Sequence, residues 1–174
     1  VFMAVFTGQG ARDAEGNAKA RERALEMFDN IHGAVAQHPG RAGIALSSMD
    51  AYRLEKEGKR AVFIGMENGY PIGNDISLVK DYYDRGMRYI TLCHTRNNDI
   101  CDSSTDKDGP EHDGLSPFGE EVVKEMNRLG IMVDVSHASD AAFYDVLDVS
   151  AVPVIASHSC ARALCNNPRN LDDD

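Results

Sequence analysis

Short apolar runs alternate along the chain with longer segments whose apolar residues recur at helical spacing. The apolar runs predict strands at residues 2–7, 44–46, 61–66, 89–93, 131–135 and 153–156. Helices are predicted between them, over about 18–36, 49–57, 75–85, 116–129 and 139–147, with N-caps at Ser48, Ser116 and Ser139. The run 2–7 is interpreted as buried, and 61–66 is apolar at both parities, as in a parallel strand covered on both faces. The alternation indicates an α/β fold with a parallel sheet and right-handed crossovers.

A polar stretch from Thr95 to Gly114 interrupts this alternation. It is rich in Asn, Asp, Ser and Gly and shows no periodicity. At about twenty residues it is long for a connection inside a compact domain, and such loops are usually either functional or disordered. The pattern leaves both interpretations open.

Composition narrows the class of protein. The chain has 174 residues, 43% hydrophobic and 26% charged, which is typical of a globular domain with a real core. No apolar run approaches the roughly 20 residues that span a bilayer. The net charge of −10 argues against a nucleic-acid partner, because phosphate binding needs clustered Lys and Arg. The four cysteines form no CxxC pair and are expected to be mainly free thiols.

Four consecutive predicted strands are each followed closely by a residue that can bind a metal or transfer a proton. These residues are Glu67, His94, His137 and His158. The carboxyl ends of parallel strands meet at one edge of a sheet, where catalytic groups gather. Two neutral imidazoles and one carboxylate form a hydrolytic zinc site that keeps a position open for water. The long spacings between these residues exclude a helical HExxH motif and suit one ligand from each βα unit.

Other polar residues near these strand ends have weaker signals. Asp134 has the opposite strand parity to His137, so it is expected to point away from the site, either packed in the core or supporting the ligands. Arg169 follows His158 by eleven residues, where a loop still borders the pocket, and it could bind a carboxylate. The remaining three histidines are interpreted as surface residues: His32, His38 and His112.

Four segments together carry a family resemblance. They are GMENG, GMRYITLCHT, GLSPFGEEVVKEMNRLGIMVDVSHAS and VPVIASHSCARALCNNPRNLDDD. In this order and spacing they resemble the renal (membrane) dipeptidase family, and residues 114–137 and 153–172 are the most specific parts. The resemblance implies a TIM (β/α)8-type barrel of the metal-dependent hydrolase kind. It also implies two zinc ions, bridged by a carboxylate and a hydroxide, that hydrolyse dipeptides.

The resemblance assigns a role to each candidate residue. Glu67 resembles the glutamate that bridges the two zinc ions, and His137 and His158 resemble the two histidines of the second zinc. His94 resembles the histidine that contacts the substrate and supports the developing oxyanion. Arg169 resembles the arginine that holds the substrate's C-terminal carboxylate. The resemblance is also compatible with a homodimer, and it leaves the compartment open, cytoplasmic or exported.

Two elements of the family pattern have no counterpart in the chain. These are the His-x-Asp pair of the first strand and a late aspartate, since the sequence stops at Asp174. Residues 1–174 are therefore expected to form one partial domain, the middle portion of a barrel that needs eight strands. Glu67, His137 and His158 make one complete ligand set. The piece alone is accordingly expected to bind at most one zinc and to show little or no peptidase activity.

Two alternatives remain beside the dipeptidase hypothesis. One is another amidohydrolase, such as a lactonase or phosphotriesterase relative, in which a modified lysine or another carboxylate usually bridges the metals. Glu67 and the context of Arg169 favour a dipeptidase over these. The other is a non-catalytic binding module or an inactive paralogue, as the missing His-x-Asp pair would suggest. A His-x-Asp pair upstream of Val1 would favour the enzyme.

Overall fold

The computed structural model describes residues 1–172, and these form parallel strands separated by helices. Asp173 and Asp174, the last residues of the family-like segment, lie outside the described residues. The strands are β1 (Phe2–Phe6), β2 (Ala42–Ile44), β3 (Arg60–Glu67), β4 (Met87–Thr91) and β5 (Met132–Asp134). The α-helices are α1 (Ala14–Ala36), α2 (Ser48–Lys56), α3 (Ser77–Asp84), α4 (Pro117–Leu129) and α5 (Asp140–Val149). The predicted α/β fold with a parallel sheet is confirmed.

The register of the sheet aligns the carboxyl ends of its strands. The strand order is β1-β3-β4-β5, and β2 pairs with the first residues of β3. One row of backbone partners crosses the sheet where the strands end, and we call it the end row: Phe6, Glu67, Thr91, Asp134 and Ile155. Residues that follow this row on neighbouring strands therefore emerge at the same level.

The core lies where the strands pack against the helices. Buried strand residues join buried helix residues in one cluster, which includes Ile64, Met66, Ile90, Val133, Phe28, Tyr82, Val122 and Met126. Phe28 and Tyr82 stack with their ring centroids 5.7 Å apart, which fixes α1 against α3. Burial of these large apolar side chains anchors the helices and so holds the loops that carry the polar residues.

Helix capping follows the sequence closely. The side chains of Ser116 and Ser139 cap α4 and α5 as predicted, each accepting a backbone N–H of the first turn. The cap of α2 is Ser47, one residue before the predicted Ser48. Helix α1 is capped by Asp13 and begins earlier than predicted, because the capping carboxylate precedes the apolar periodicity.

Several strand predictions need correction. Strand β1 is mostly exposed rather than buried, since Phe2, Met3 and Phe6 are 54%, 39% and 40% exposed at an edge of the described sheet. Residues 153–156 do not form a full strand, and only Ile155 makes a bridge, to Asp134. Pro153 has no N–H to donate to a ladder, which limits the pairing there. Strand β4 also ends two residues earlier than the predicted run 89–93.

The polar stretch from Thr95 to Gly114 is folded around one buried carboxylate. The oxygens of Asp102 accept hydrogen bonds from the backbone N–H groups of Glu111, His112 and Gly114, at 2.8–3.1 Å. Asp102 is only 1% exposed, so these bonds close the loop from its inside. The loop is therefore ordered rather than disordered.

The prediction that three histidines lie at the surface holds for two of them. His32 and His38 are exposed. His112 was interpreted wrongly, because its ring lies half-buried in the folded polar loop with Nε2 2.9 Å from the carbonyl oxygen of Asn98. Because that stretch has no periodicity, the burial of His112 could not be predicted from the sequence.

The cysteines within the described residues are free thiols. Within residues 1–172, Cys93 and Cys101 are buried free thiols, and Cys160 and Cys165 are exposed free thiols. None of the helices in the same residues combines the length and apolar character that crossing a membrane requires.

Gly65 of β3 leaves room for an aromatic ring on the neighbouring strand. A Cβ atom at position 65 would lie 1.8 Å from Cε1 of Tyr89, and Tyr89 is only 8% exposed. We expect Gly65→Ala to displace the ring and to lower the free energy of unfolding by about 1–3 kcal/mol, the scale of overpacking in a core. Chemical denaturation measures this change. A matched Gly33→Ala substitution in α1, where a Cβ meets nothing within 4 Å, should not destabilise the protein.

Candidate metal centre

The end row places the candidate residues at one edge of the sheet. Glu67 belongs to the row itself, as the last residue of β3. His94, His137 and His158 each lie three residues beyond the row member of their own segment. Because the row is level across the sheet, the three histidines that follow it emerge at the same edge.

The three imidazoles converge on one carboxylate oxygen. The distance from Nε2 to Glu67 Oε1 is 3.5 Å for His94, 3.5 Å for His137 and 3.4 Å for His158. The ring centroids of His94 and His137 are 4.1 Å apart, and those of His137 and His158 are 4.9 Å apart. The structure therefore brings together all four residues that the sequence placed at strand ends.

The tightest group of potential ligand atoms differs from the predicted ligand set. This group consists of Glu67, His94 and His137. Each residue offers one potential ligand atom, and these three atoms lie within 4.8 Å of one another. His158 lies near Glu67 but outside this group, and its side chain is 42% exposed. The most compact group therefore contains His94, where the ligand set implied by the resemblance contains His158.

Burial favours the neutral form of the His94 and His137 imidazoles. The pKa of His137 is lowered to about 3, first by burial and then by the positive charges of Arg169 and the neighbouring histidines. Burial also lowers the pKa of His94, although the carboxylate of Glu67 opposes this shift. A histidine must be neutral to offer a lone pair to a metal ion. The electrostatics of the cluster therefore suit metal binding.

The backbone at His137 adopts an uncommon conformation. Its φ angle is 74°, in the left-handed region that few residues other than glycine adopt. A hydrogen bond of 2.9 Å from the N–H of Ser104 to the carbonyl oxygen of His137 helps to hold this turn. Such strain is concentrated at functional sites, where the surrounding structure enforces it. Here it turns the chain sharply after β5 and points the ring at Glu67.

Of the two roles left open for Asp134, its hydrogen bonds favour support of the residues that carry the histidines. It is fully buried and accepts hydrogen bonds from Thr91 Oγ1 (2.6 Å), Ser136 N (3.1 Å), Ser157 N (3.0 Å) and Ser157 Oγ (2.6 Å). Burial alone would raise the pKa of Asp134, but the hydrogen bonds outweigh it and lower the pKa, so the group is a carboxylate. One side chain thus joins the three segments that carry the histidines.

Sequence reasoning missed Ser136 and Ser157. Each directly precedes a histidine of the cluster, in the paired sequences SHA and SHS. Ser136 Oγ accepts a hydrogen bond of 3.0 Å from the N–H of His158, and Ser157 Oγ lies 2.7 Å from His158 Nδ1. The repeated Ser-His pair after two strands was the available signal.

Arg169 lies beside the histidines with part of its guanidinium unpaired. Its Nη1 is buried without a hydrogen-bond partner among the described residues, and Nη2 is 3.5 Å from the carbonyl oxygen of His158. Burial lowers the pKa of Arg169. Unpaired donors in a buried guanidinium are costly, and a bound carboxylate would satisfy them.

The loop that carries Arg169 is tied to helix α5. Arg162 pairs in a two-pronged manner with the carboxylate of Asp140, at 2.5 and 2.7 Å, and donates to the carbonyl oxygen of Asn170. The N–H of Arg169 donates to Asn167 Oδ1 at 2.9 Å. These contacts place Arg169 on the side of the cluster formed by His158.

Comparison with protein families identifies the family of this chain. The family described as Membrane dipeptidase (Peptidase family M19) matches residues 1–174. The chain belongs to the membrane dipeptidase family. The family resemblance inferred from the sequence is thereby confirmed.

Curated relatives support this membership. The chain is 41% identical over 150 residues to dipeptidase verJ of Clonostachys rogersoniana, which covers 86% of this chain and 38% of that protein. It is 41% identical over 154 residues to dipeptidase 3 of Homo sapiens, which covers 87% of this chain and 31% of that protein. The matched part of the chain thus spans about a third of the length of these relatives, 38% and 31% respectively.

Solved structures of membrane dipeptidases and similar proteins share the fold. The probable dipeptidase PvdM from Pseudomonas aeruginosa superimposes with a TM-score of 0.92 at 35% identity, over 99% of this chain and 45% of that chain. A metallo peptidase from Rhodobacter sphaeroides, liganded with a phosphinate mimic of the dipeptide L-Ala-D-Ala, gives a TM-score of 0.86 at 25% identity. That match covers 99% of this chain and 56% of that chain. The fold described here is therefore a portion of theirs.

Proposed function

We propose that the protein containing this chain is a zinc-dependent dipeptidase and that the cluster around Glu67 forms part of its active site. The observation that carries this proposal is the convergence of three Nε2 atoms on one oxygen of Glu67, at 3.4–3.5 Å, next to a half-buried arginine. Membership of a family of metallopeptidases supports it. Because the chain spans only part of its relatives, the activity is proposed for the whole protein.

The donor set of the cluster fits zinc. Imidazole nitrogen and carboxylate oxygen are common zinc ligands, and the neutral state of His137 leaves the lone pair of one ring nitrogen free. We assign Glu67, His137 and His158 as metal ligands, with Glu67 as the bridge between two zinc ions in the whole protein. Zinc held there would lower the pKa of a bound water and polarise the carbonyl group of the scissile bond.

His94 is proposed to contact the substrate. Its ring packs edge-on against Phe6, with the centroids 4.9 Å apart, and its side chain is 24% exposed, so it is both oriented and accessible. The lowered pKa keeps the ring neutral near pH 7, with one N–H to donate. That N–H can stabilise the negative charge that develops on the carbonyl oxygen of the substrate.

Arg169 is proposed to hold the C-terminal carboxylate of the dipeptide. Its unpaired Nη1 gives it a free donor next to the cluster. A guanidinium binds a carboxylate through two parallel hydrogen bonds, which fixes the position of the scissile bond relative to the metal ligands. This feature favours a dipeptide over the substrates of a lactonase or phosphotriesterase, which need no carboxylate partner. L-Ala-D-Ala, whose mimic is bound by the Rhodobacter sphaeroides relative, is the substrate to test first.

Two histidine variants distinguish ligand from substrate contact. If His158 is a ligand and His94 is not, His158→Gln should lower the zinc content of the whole protein by about one ion, whereas His94→Gln should leave it unchanged. His94→Gln should instead lower kcat for L-Ala-D-Ala by about 10²–10³-fold, the scale for loss of an oxyanion donor, because the glutamine amide does not reproduce the position of the imidazole N–H. Elemental analysis and steady-state kinetics measure the two effects. Loss of zinc in His94→Gln alone would instead assign the compact Glu67, His94 and His137 group as the ligand set.

A further inference from the structure

A chain of hydrogen bonds connects the buried carboxylate of Asp134 to the ring of His158. Ser157 Oγ lies 2.6 Å from Asp134 Oδ2 and 2.7 Å from His158 Nδ1. Nε2 of the same ring lies 3.4 Å from Glu67 Oε1. The serine hydroxyl therefore stands between a carboxylate on one side and the imidazole on the other.

Counting protons along this chain fixes the tautomer of the imidazole. The carboxylate of Asp134 can only accept, so the single hydroxyl proton of Ser157 is donated to Asp134 Oδ2. The hydroxyl oxygen must then accept from His158, which places the ring proton on Nδ1. In the neutral ring Nε2 carries no proton, and its lone pair faces Glu67 and the pocket.

We propose that Asp134, acting through Ser157, is a positioning residue that fixes His158 as the Nδ1-protonated tautomer and so presents Nε2 as a metal ligand. This inference rests on the proposed function, because it concerns the ligand role of His158. Partners of this kind set the ring orientation of metal-binding histidines and raise the basicity of the ligand.

The arrangement sets His158 apart from His137. Nδ1 of His137 is buried and has no hydrogen-bond partner among residues 1–172, so packing and the backbone turn hold that ring instead. His158 is the most exposed of the three rings, at 42% for its side chain. An exposed ring on a loop has more freedom to rotate, and the hydrogen bond to Ser157 restricts it.

The substitution Asp134→Asn is expected to reverse the donor and acceptor in each hydrogen bond between residue 134, Ser157 and His158. Oδ1 accepts the backbone N–H groups of Ser136 and Ser157, so the amide oxygen of an asparagine must stay at that position. Its NH2 group then occupies the place of Oδ2 and donates to Ser157 Oγ. The freed hydroxyl proton of Ser157 can now be donated to His158 Nδ1, which moves the ring proton to Nε2.

The test uses the whole protein with ¹⁵N-labelled histidine, prepared metal-free and studied at about pH 8, above the usual imidazole pKa. ¹⁵N NMR should show the His158 proton on Nδ1 in the unaltered protein and on Nε2 in Asp134→Asn. Zinc titration against a competing chelator should show about 10–100-fold weaker binding in Asp134→Asn. Ser157→Ala should also weaken zinc binding. Ser157→Thr keeps a side-chain hydroxyl and should bind zinc as the unaltered protein does.

Thr91→Val is the matched control. It removes another hydrogen bond to the same oxygen of Asp134 without touching the path to His158. We expect it to lower stability in chemical denaturation but to leave the His158 tautomer and zinc affinity unchanged.

Two results would overturn the proposal. One is a His158 proton on Nε2 in the unaltered protein. The other is equal weakening of zinc binding by Thr91→Val and Asp134→Asn with no effect of Ser157→Ala, which would make the role of Asp134 purely structural. If Asp134→Asn does not fold, the serine variants and the unaltered protein still decide. Failure of the unaltered protein to bind zinc at all would instead reject the proposed function, and the tautomer would still be read from the metal-free spectrum.

Discussion

Glu67→Gln is expected to abolish dipeptide hydrolysis in the whole protein. Glu67 Oε1 is the atom on which all three imidazoles converge, and a neutral amide cannot replace the negative charge with which the proposed ligand would bind a metal ion. We expect kcat/KM for L-Ala-D-Ala to fall by about 10³-fold or more, at or beyond the scale for loss of one electrostatic stabiliser. Steady-state kinetics and zinc analysis on the same preparation measure the activity and the metal content.

Glu121→Gln is the control for this variant. Glu121 is an exposed residue of α4 and lies outside the cluster, so its replacement makes the same chemical change at the surface. It should leave both kcat/KM and zinc content unchanged. Full activity of Glu67→Gln with its zinc retained would show that the carboxylate is not part of the active site.

Arg169→Met is expected to cause the second large effect, and the effect should depend on the charge of the substrate. Loss of a desolvated partner of a carboxylate costs about 2–5 kcal/mol, so kcat/KM for L-Ala-D-Ala should fall by about 30-fold or more. The same dipeptide with an amidated C-terminus lacks the carboxylate that Arg169 is proposed to bind. For the amide, Arg169→Met should change kcat/KM little relative to the unaltered protein.

Arg169→Lys tests whether the guanidinium geometry matters in addition to charge. Lysine keeps the positive charge but cannot form two parallel hydrogen bonds to a carboxylate. We expect its kcat/KM for the dipeptide to lie between those of the unaltered protein and Arg169→Met. An equal loss for the dipeptide and its amide in Arg169→Met would show that the arginine acts on the structure of the loop and not on the substrate.

The order of strands and helices could be predicted because apolar periodicity and capping serines are local signals. Ser116 and Ser139 begin helices where the sequence places them. Convergence of Glu67 and the histidines also followed from sequence, because parallel strands bring their carboxyl ends to one edge. Pairing of residues 153–156 was overestimated, since apolar character does not reveal that only Ile155 exchanges backbone hydrogen bonds with β5.

The role of Asp134 could not be predicted from strand parity. Parity assumes that an extended strand continues from Asp134 to His137, but β5 ends at Asp134 and the backbone turns to a positive φ at His137. The closure of the polar loop by Asp102 was hidden for a similar reason. Hydrogen bonds from one side chain to distant backbone groups leave no periodic trace in the sequence.

The metal count and the role of each ligand remain predictions. The donor set is compatible with zinc, and family membership indicates a metallopeptidase. The choice between His94 and His158 as ligand depends on interatomic distances that the sequence does not determine. The expectation that residues 1–174 alone bind at most one zinc is likewise a prediction.

The most direct test of the account is a crystal structure of the whole protein with anomalous scattering recorded at the zinc edge. We predict a zinc peak about 2.0–2.2 Å from an oxygen of Glu67 and from Nε2 of both His137 and His158, with His94 outside the coordination shell. A protein that is active on L-Ala-D-Ala but shows no zinc peak beside Glu67 would contradict the account.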